Sequence, residues 1–85
     1  MTSVTVYGTR LCPYCLKARR LLKKKGIRYT NVDVSSKAKR AEMAGRAKGR
    51  TSVPQIFIGD RHIGGCDDLV RLDKKGQLAR MLRGG

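Results

Sequence analysis

Two cysteines separated by a proline and a tyrosine, Cys12-Pro13-Tyr14-Cys15, stand between the short β-rich run Val4-Thr5-Val6-Tyr7 and a basic segment ending at Lys25. In that segment Cys15, Ala18, Leu21 and Leu22 recur at helical spacing, while Lys17, Arg19, Arg20, Lys23 and Lys24 fill the opposite face. Pro13 suits a first helical position, where its missing N–H costs nothing, and Gly26 supplies a stop. The spacing predicts a helix from Pro13 to Lys25, with Gly8-Thr9 breaking the strand before it and Cys15 on the inward stripe. The two thiols then lie on the turn that opens the helix. A thiolate there meets unpaired backbone N–H groups and the positive end of the helix dipole, so its pKa falls and it becomes a usable nucleophile near neutral pH.

The rest of the chain alternates strand and helix signals. Ile27 to Val34 reads as a second strand whose phase changes, and a bulge or strand end near Asn31 would account for that. Ser35 and Ser36 are both suitable N-caps for a helix through Arg46, made weak by its alanines and by Gly45. After the loop Gly49-Arg50-Thr51-Ser52 and the dipeptide Val53-Pro54, the run Gln55-Ile56-Phe57-Ile58 is too apolar for an exposed edge. Gly59-Asp60 fits a two-residue hairpin turn, with Arg61-His62-Ile63 returning as the partner strand. Asp67-Asp68 opens a helix carrying Leu69, Val70 and Leu72, Gly76 ends it, a short helix covers Gln77 to Leu82, and Gly84-Gly85 is expected to fray. The order β-α-β-α-β-β-α, with one further helix, implies an α/β fold. A right-handed first βαβ unit with a later antiparallel hairpin gives a four-stranded mixed sheet flanked by helices.

Composition bounds what such a fold can do. Eighty-five residues make one domain, spanning 1–85, with a small core. Three cysteines are too few, and odd in number, for a secreted disulfide framework, which points to a reducing cytoplasm. Met1-Thr2-Ser3-Val4 shows no leader pattern and no apolar run reaches membrane-spanning length, so a soluble protein is expected. The net charge of +14 would be felt by any polyanion. Its twenty Lys and Arg are nevertheless spread along the chain, and the four aromatics Tyr7, Tyr14, Tyr29 and Phe57 are not interleaved with them. The expectation is a solvated surface with weak, sequence-blind polyanion binding and no dedicated nucleic-acid site.

Three blocks in order, Cys12-Pro13-Tyr14-Cys15, Ser52-Val53-Pro54-Gln55-Ile56-Phe57-Ile58 and Ile63-Gly64-Gly65-Cys66-Asp67-Asp68-Leu69, resemble a dithiol glutaredoxin of the small bacterial class, and the likeness runs over essentially the whole chain. The resemblance implies a thioredoxin-like fold and a monomer that uses glutathione to reduce glutathionylated or disulfide-containing proteins, with no metal. By the same resemblance Cys12 is the exposed nucleophile and Cys15 the buried resolving thiol. Val53 would pair through its backbone with the cysteinyl part of glutathione, beside a cis Pro54. The γ-glutamyl carboxylate would rest on the N–H groups of Cys66 and Asp67, with the Asp67 side chain taking the α-ammonium. Gly64 and Gly65 would let the backbone approach, Tyr14 would line the groove, and Ser52 stands where the family usually has threonine.

One departure concerns charge. Many family members carry a lysine three residues before the nucleophile, and Thr9 stands there in this chain. Arg10, Arg40 or Arg50 would have to substitute. Other readings remain open at this level. The C-x-x-C could be half of a zinc site completed by His62 and Cys66, although Pro-Tyr between the cysteines and the Val-Pro block have no purpose there. Cys66 also fits a small buried hydrophobe, His62 a surface residue, and Asp67 and Asp68 ordinary helix-start residues. A [2Fe–2S] carrier built from Cys12 of two chains with glutathione is a third function class, and the proline after Cys12 argues against it.

Overall fold

β1 (Val4–Gly8) organises the sheet, because its residues are apolar on both faces. It pairs in parallel with β2 (Thr30–Asp33) and antiparallel with β3 (Gln55–Ile58), which in turn pairs antiparallel with β4 (Arg61–Gly64). A computed structural model describes residues 3–84, so Met1, Thr2 and the expected fraying at Gly85 lie outside the described residues. The strand order is β2-β1-β3-β4, which puts the apolar Gln55–Ile58 run in the interior of the sheet. The helices are α1 (Pro13–Lys24), α2 (Lys37–Arg46), α3 (Cys66–Lys74) and α4 (Gln77–Gly84). The result is a thioredoxin-like α/β fold.

The strand period of two sorts the core into two layers. Val4, Val6, Ile56 and Ile58 pack with Ala18 and Leu22 of α1, Leu69 of α3 and Leu78 of α4. Tyr7 and Phe57 point the other way and meet Val34, Met43 and Ala47, which brings α2 onto the opposite face. Full burial of a residue such as Leu22 or Leu69 stabilises the fold by about 1.5–3 kcal/mol. On the α2 side Arg46 closes the layer. Its guanidinium carbon stands 4.3 Å from the Phe57 ring centre, and its Nη1 donates to the Tyr7 hydroxyl at 2.6 Å.

Several expected boundaries move for physical reasons. α1 ends at Lys24, with Lys25 as its cap donating to the Leu21 carbonyl. α3 begins one residue early, at Cys66, with Gly65 as N-cap, and α4 spans Gln77–Gly84, two residues beyond the expected end at Leu82. β2 is shorter than Ile27 to Val34 and has no bulge at Asn31, which pairs in register with Val6. The apparent change of phase reflects a sheet covered on both sides: Ile27 and Tyr29 pack on the α1 layer, Val32 and Val34 on the α2 layer. The irregularity falls instead between Ile56 and Phe57, opposite β4. Of the two serines it is Ser36 that caps α2, accepting the Lys39 N–H at 3.2 Å. Gly59, with φ 59°, opens the hairpin turn as a glycine-first turn requires.

Candidate active site

Cys12 is the N-cap of α1 and Pro13 its first residue, so Tyr14 and Cys15 carry N–H groups that the helix itself leaves without a partner. The neutral Cys12 thiol makes no capping bond and turns its proton toward the Val53 carbonyl oxygen, 3.9 Å away. Ionisation frees the sulfur to accept from the helix. Burial works against the thiolate, but the Cys15 N–H, the Cys15 thiol, the Tyr14 N–H and the Arg19 guanidinium outweigh it and hold the Cys12 pKa below the usual thiol range. Cys12 is partly exposed and Cys15 completely buried, both as free thiols.

Cys15 sits against the end of β1. Burial pushes its pKa up, the Thr9 N–H opposes this, and the neighbouring Cys12 adds to the rise. The strand makes room for it at one position. A Cβ on Gly8 would stand 2.8 Å from the Cys15 sulfur, so only glycine lets helix and strand approach this closely. Two thiols with opposite shifts therefore share one helix turn, the outer one poised to attack and the inner one held protonated.

A groove of about 190 Å³ lies beside Cys12. Tyr14 forms one edge, Arg50 and the loop Ser52-Val53-Pro54 a second, and Gly65 to Asp68 at the mouth of α3 the third. The Val53–Pro54 bond is cis. The residues expected for the dithiol and the groove walls are thus in one place: Cys12, Tyr14, Ser52, Val53, Pro54, Gly65, Cys66 and Asp67, with Cys15 behind them. At the α3 mouth, Asp68 accepts the Gly65 N–H at 3.0 Å, and Gly65 has no side chain to cap the turn in return. The first-turn N–H groups at Cys66 and Asp67 therefore keep their affinity for an anion. Gly64 must be glycine, since its φ is 119° and a Cβ would run into the Asp68 carboxylate, whereas a Cβ on Gly65 would meet the Pro54 carbonyl oxygen at an ordinary 3.5 Å. Cys66 is buried, which pushes its thiol pKa up, as a packing role predicts.

The structure does not bring His62 to the thiols. Its ring stacks on Phe57, with centres 4.9 Å apart, and Nε2 lies 2.6 Å from Gln55 Oε1. Gln55 Nε2 donates to the Ser52 carbonyl at 2.9 Å and to its hydroxyl at 3.2 Å, so the Gln55 oxygen must accept and His62 Nε2 must carry the proton. Among the described residues no cluster of three or more His, Cys, Asp or Glu is assembled for a metal, and a Cys₃His site is not formed.

Sequence reasoning missed three members of this arrangement. By pattern alone Gly8 reads only as a strand break, Gln55 only as part of an apolar run, and Arg19 only as one of many solvent-facing cations. Each left a trace: an isolated glycine beside a reactive helix, a lone amide in a buried strand, and a cation four residues after Cys15 on the same helix face. The cations expected to serve the site lie elsewhere or at its rim. Arg40 donates to the Thr51 carbonyl at 3.1 Å, Arg10 bears on Asp33, and Arg50 lines the groove.

Comparison with known proteins agrees with the geometry. The glutaredoxin family model matches residues 4–63. A glutaredoxin of Pseudomonas aeruginosa is 46% identical over 83 residues, covering 96% of this chain and 98% of its own length. Glutaredoxin 3 of Escherichia coli K12 is 43% identical over 83 residues, covering 98% of this chain and 100% of its own. Among solved structures, the glutaredoxin from Brucella melitensis superposes with a TM-score of 0.84 at 46% identity, covering 96% of this chain and 89% of that one. A buckwheat glutaredoxin–glutathione complex gives 0.85 at 29% identity, covering 98% and 78%. With a dithiol turn of split pKa set on this fold, the chain belongs to the glutaredoxin family of thiol-disulfide oxidoreductases.

Proposed function

We propose that the protein reduces glutathione–protein mixed disulfides through Cys12, reduces protein disulfides through Cys12 and Cys15 together, and is regenerated by glutathione. The observation that carries this reading is the groove: a nucleophile 3.9 Å from the Val53 carbonyl, facing an uncapped helix mouth flanked by Asp67. Glutathione fits its chemistry in parts. The Val53 backbone offers strand-like pairing to the cysteinyl unit, the Cys66 and Asp67 N–H groups take the γ-glutamyl carboxylate, and the Asp67 carboxylate takes the ammonium. Arg50, which lines the groove, supplies a cation for the glycyl carboxylate in this reading. Tyr14, Ser52, Pro54 and Gly65 shape the walls. The glutathione-bound buckwheat relative supports the same co-substrate.

In the monothiol reaction the Cys12 thiolate attacks the glutathione sulfur of the mixed disulfide, forming Cys12–S–S–glutathione and releasing the protein thiolate. A second glutathione thiolate attacks that bond, leaving as glutathione disulfide and freeing Cys12. In the dithiol reaction Cys12 opens a protein disulfide, Cys15 attacks the Cys12 sulfur to release the reduced protein, and two glutathione molecules reduce the Cys12–Cys15 bond. The reading takes the chain as a cytoplasmic monomer of one domain, its excess charge serving a solvated surface.

The test is turnover on a glutathionylated peptide with glutathione as electron source. Cys12→Ser should abolish it. Cys15→Ser should spare it and impair reduction of a protein disulfide. Normal turnover by Cys12→Ser would overturn the assignment.

A further inference from the structure

We propose that Arg19 is the positioning cation of the dithiol site, pinned under the active-site turn by Thr9 and Asn31 and supplying from the helix side the charge that a lysine at position 9 would supply from the loop. The inference rests on the Cys12 and Cys15 chemistry proposed above.

The placement is structural before it is electrostatic. Arg19 follows Cys15 by four residues, so the two side chains share one face of α1, the face turned toward the end of β1. Nη2 donates to the Thr9 carbonyl and Nη1 to Asn31 Oδ1, each at 3.3 Å. The group is thereby tied to the loop before Cys12 and to β2 at once. The backbone of the same residue, through its N–H, also favours the Cys15 thiolate. A Cβ on Gly8 would lie 3.4 Å from Arg19 Nη1 and 2.8 Å from Cys15 Sγ, which locates the guanidinium beside the inner thiol. A long cation on an exposed helix face would otherwise spread over many rotamers and be screened by solvent. Two anchors hold this one part-buried, where its charge acts at shorter range and in a less polar medium.

Arg19 is also the cation whose charge favours ionisation of both Cys12 and Cys15. Lys17 bears on the Cys66 thiol instead, and Arg10 on Asp33. One guanidinium behind the helix therefore serves two steps, the attack by Cys12 and the later attack by the buried Cys15, whose thiol must lose a proton at the moment of resolution.

The experiment compares Arg19→Gln, Arg19→Lys and Asn31→Ala with the parent protein, using Arg10→Gln and Arg40→Gln as charge controls. The rate of Cys12 alkylation by iodoacetamide is followed against pH, and reduction of a protein disulfide is measured beside deglutathionylation. Arg19→Gln is expected to move the alkylation midpoint to higher pH and to slow alkylation at pH 7 by about two- to threefold. Arg19→Lys should recover most of that loss, and Asn31→Ala should show a smaller shift in the same direction, because the charge remains but its anchor is gone. Protein-disulfide reduction should fall further than deglutathionylation in Arg19→Gln, since the resolving step is affected as well. An unchanged midpoint in Arg19→Gln, a shift that lysine does not recover, or an equal shift in Arg10→Gln would overturn the inference. Loss of turnover in Cys12→Ser together with an inert Arg19→Gln removes this inference alone, whereas turnover that survives Cys12→Ser removes the reading beneath it.

Discussion

Replacing Gly8 with alanine measures how tightly the inner thiol is packed against the sheet. The new Cβ would stand 2.8 Å from Cys15 Sγ and 3.2 Å from Cys15 Cβ. Non-bonded heavy atoms prefer about 3.5–4.0 Å, so the shorter contact is too close by roughly 1 Å. Neither partner can move away easily: Cys15 is completely buried, and Gly8 accepts the Val34 N–H at 3.0 Å while paired with Asp33. Backbone strain adds nothing, because Gly8 is not among the positive-φ residues. Overpacking of this kind costs about 1–3 kcal/mol. The narrower unfolded ensemble of alanine returns about 0.4–1 kcal/mol. A net loss of about 1–2 kcal/mol corresponds to a fall of about 4–16 °C in Tm for a domain of this size. The assay is urea denaturation of the reduced protein, in which the midpoint should drop by about 1 M. The decisive comparison is the double variant Gly8→Ala, Cys15→Ala. Removing the sulfur removes the worst contact, so alanine at position 8 should then cost less than about 0.5 kcal/mol, leaving a coupling of about 1 kcal/mol. Equal costs in the two backgrounds would refute the packing account.

Two further outcomes follow from the histidine of β4 and the cap of α2. Burial, with Arg50 and Lys48 and against the pull of Asp68, holds the His62 pKa below its ordinary 6.5, so the unfolded chain binds more protons between the two values and stability should rise with pH through that window. The urea midpoint should therefore be lower at pH 5 than at pH 7.5, and His62→Gln should flatten the slope; an unchanged slope would contradict the cause assigned. Ser36→Ala removes the acceptor for the Lys39 N–H and should lower stability by about 0.5–2 kcal/mol, read as a fall in Tm, with an unchanged Tm counting against the cap.

Much of the architecture could be read from pattern, because helices and strands announce themselves by period. α1 is an example, with its stripe of Cys15, Ala18 and Leu22 and with Pro13 at its start. β2 was harder, since alternation reports one buried face, and a strand that serves two layers looks like a strand with a fault. The thiols and the Val53-Pro54 block were legible because their spacing is local. Gly8, Gln55 and Arg19 were not, because each acts on a partner distant in sequence: Gly8 on Cys15, Gln55 on His62 across the hairpin, Arg19 on Asn31 of β2. Charge composition also hid the last of these. Among twenty basic residues Arg19 is set apart by its two anchors, Asn31 and the Thr9 carbonyl.

The two layers of the core are unequal, and the inequality bears on how the two walls of the groove are held. Three helices stand on one face of the sheet, whereas α2 on the other is held by Met43, the capping Ala47 and the Arg46 stack. Amides of α2 should therefore exchange with solvent through local opening, while those of β1 and β3 wait for the whole molecule to unfold. The loop after α2 runs directly into Ser52 and Val53, but Cys66 and Asp67 belong to the firmly packed layer. The groove therefore has one wall fixed in the larger core layer and one wall carried by the loop that follows the more lightly held α2.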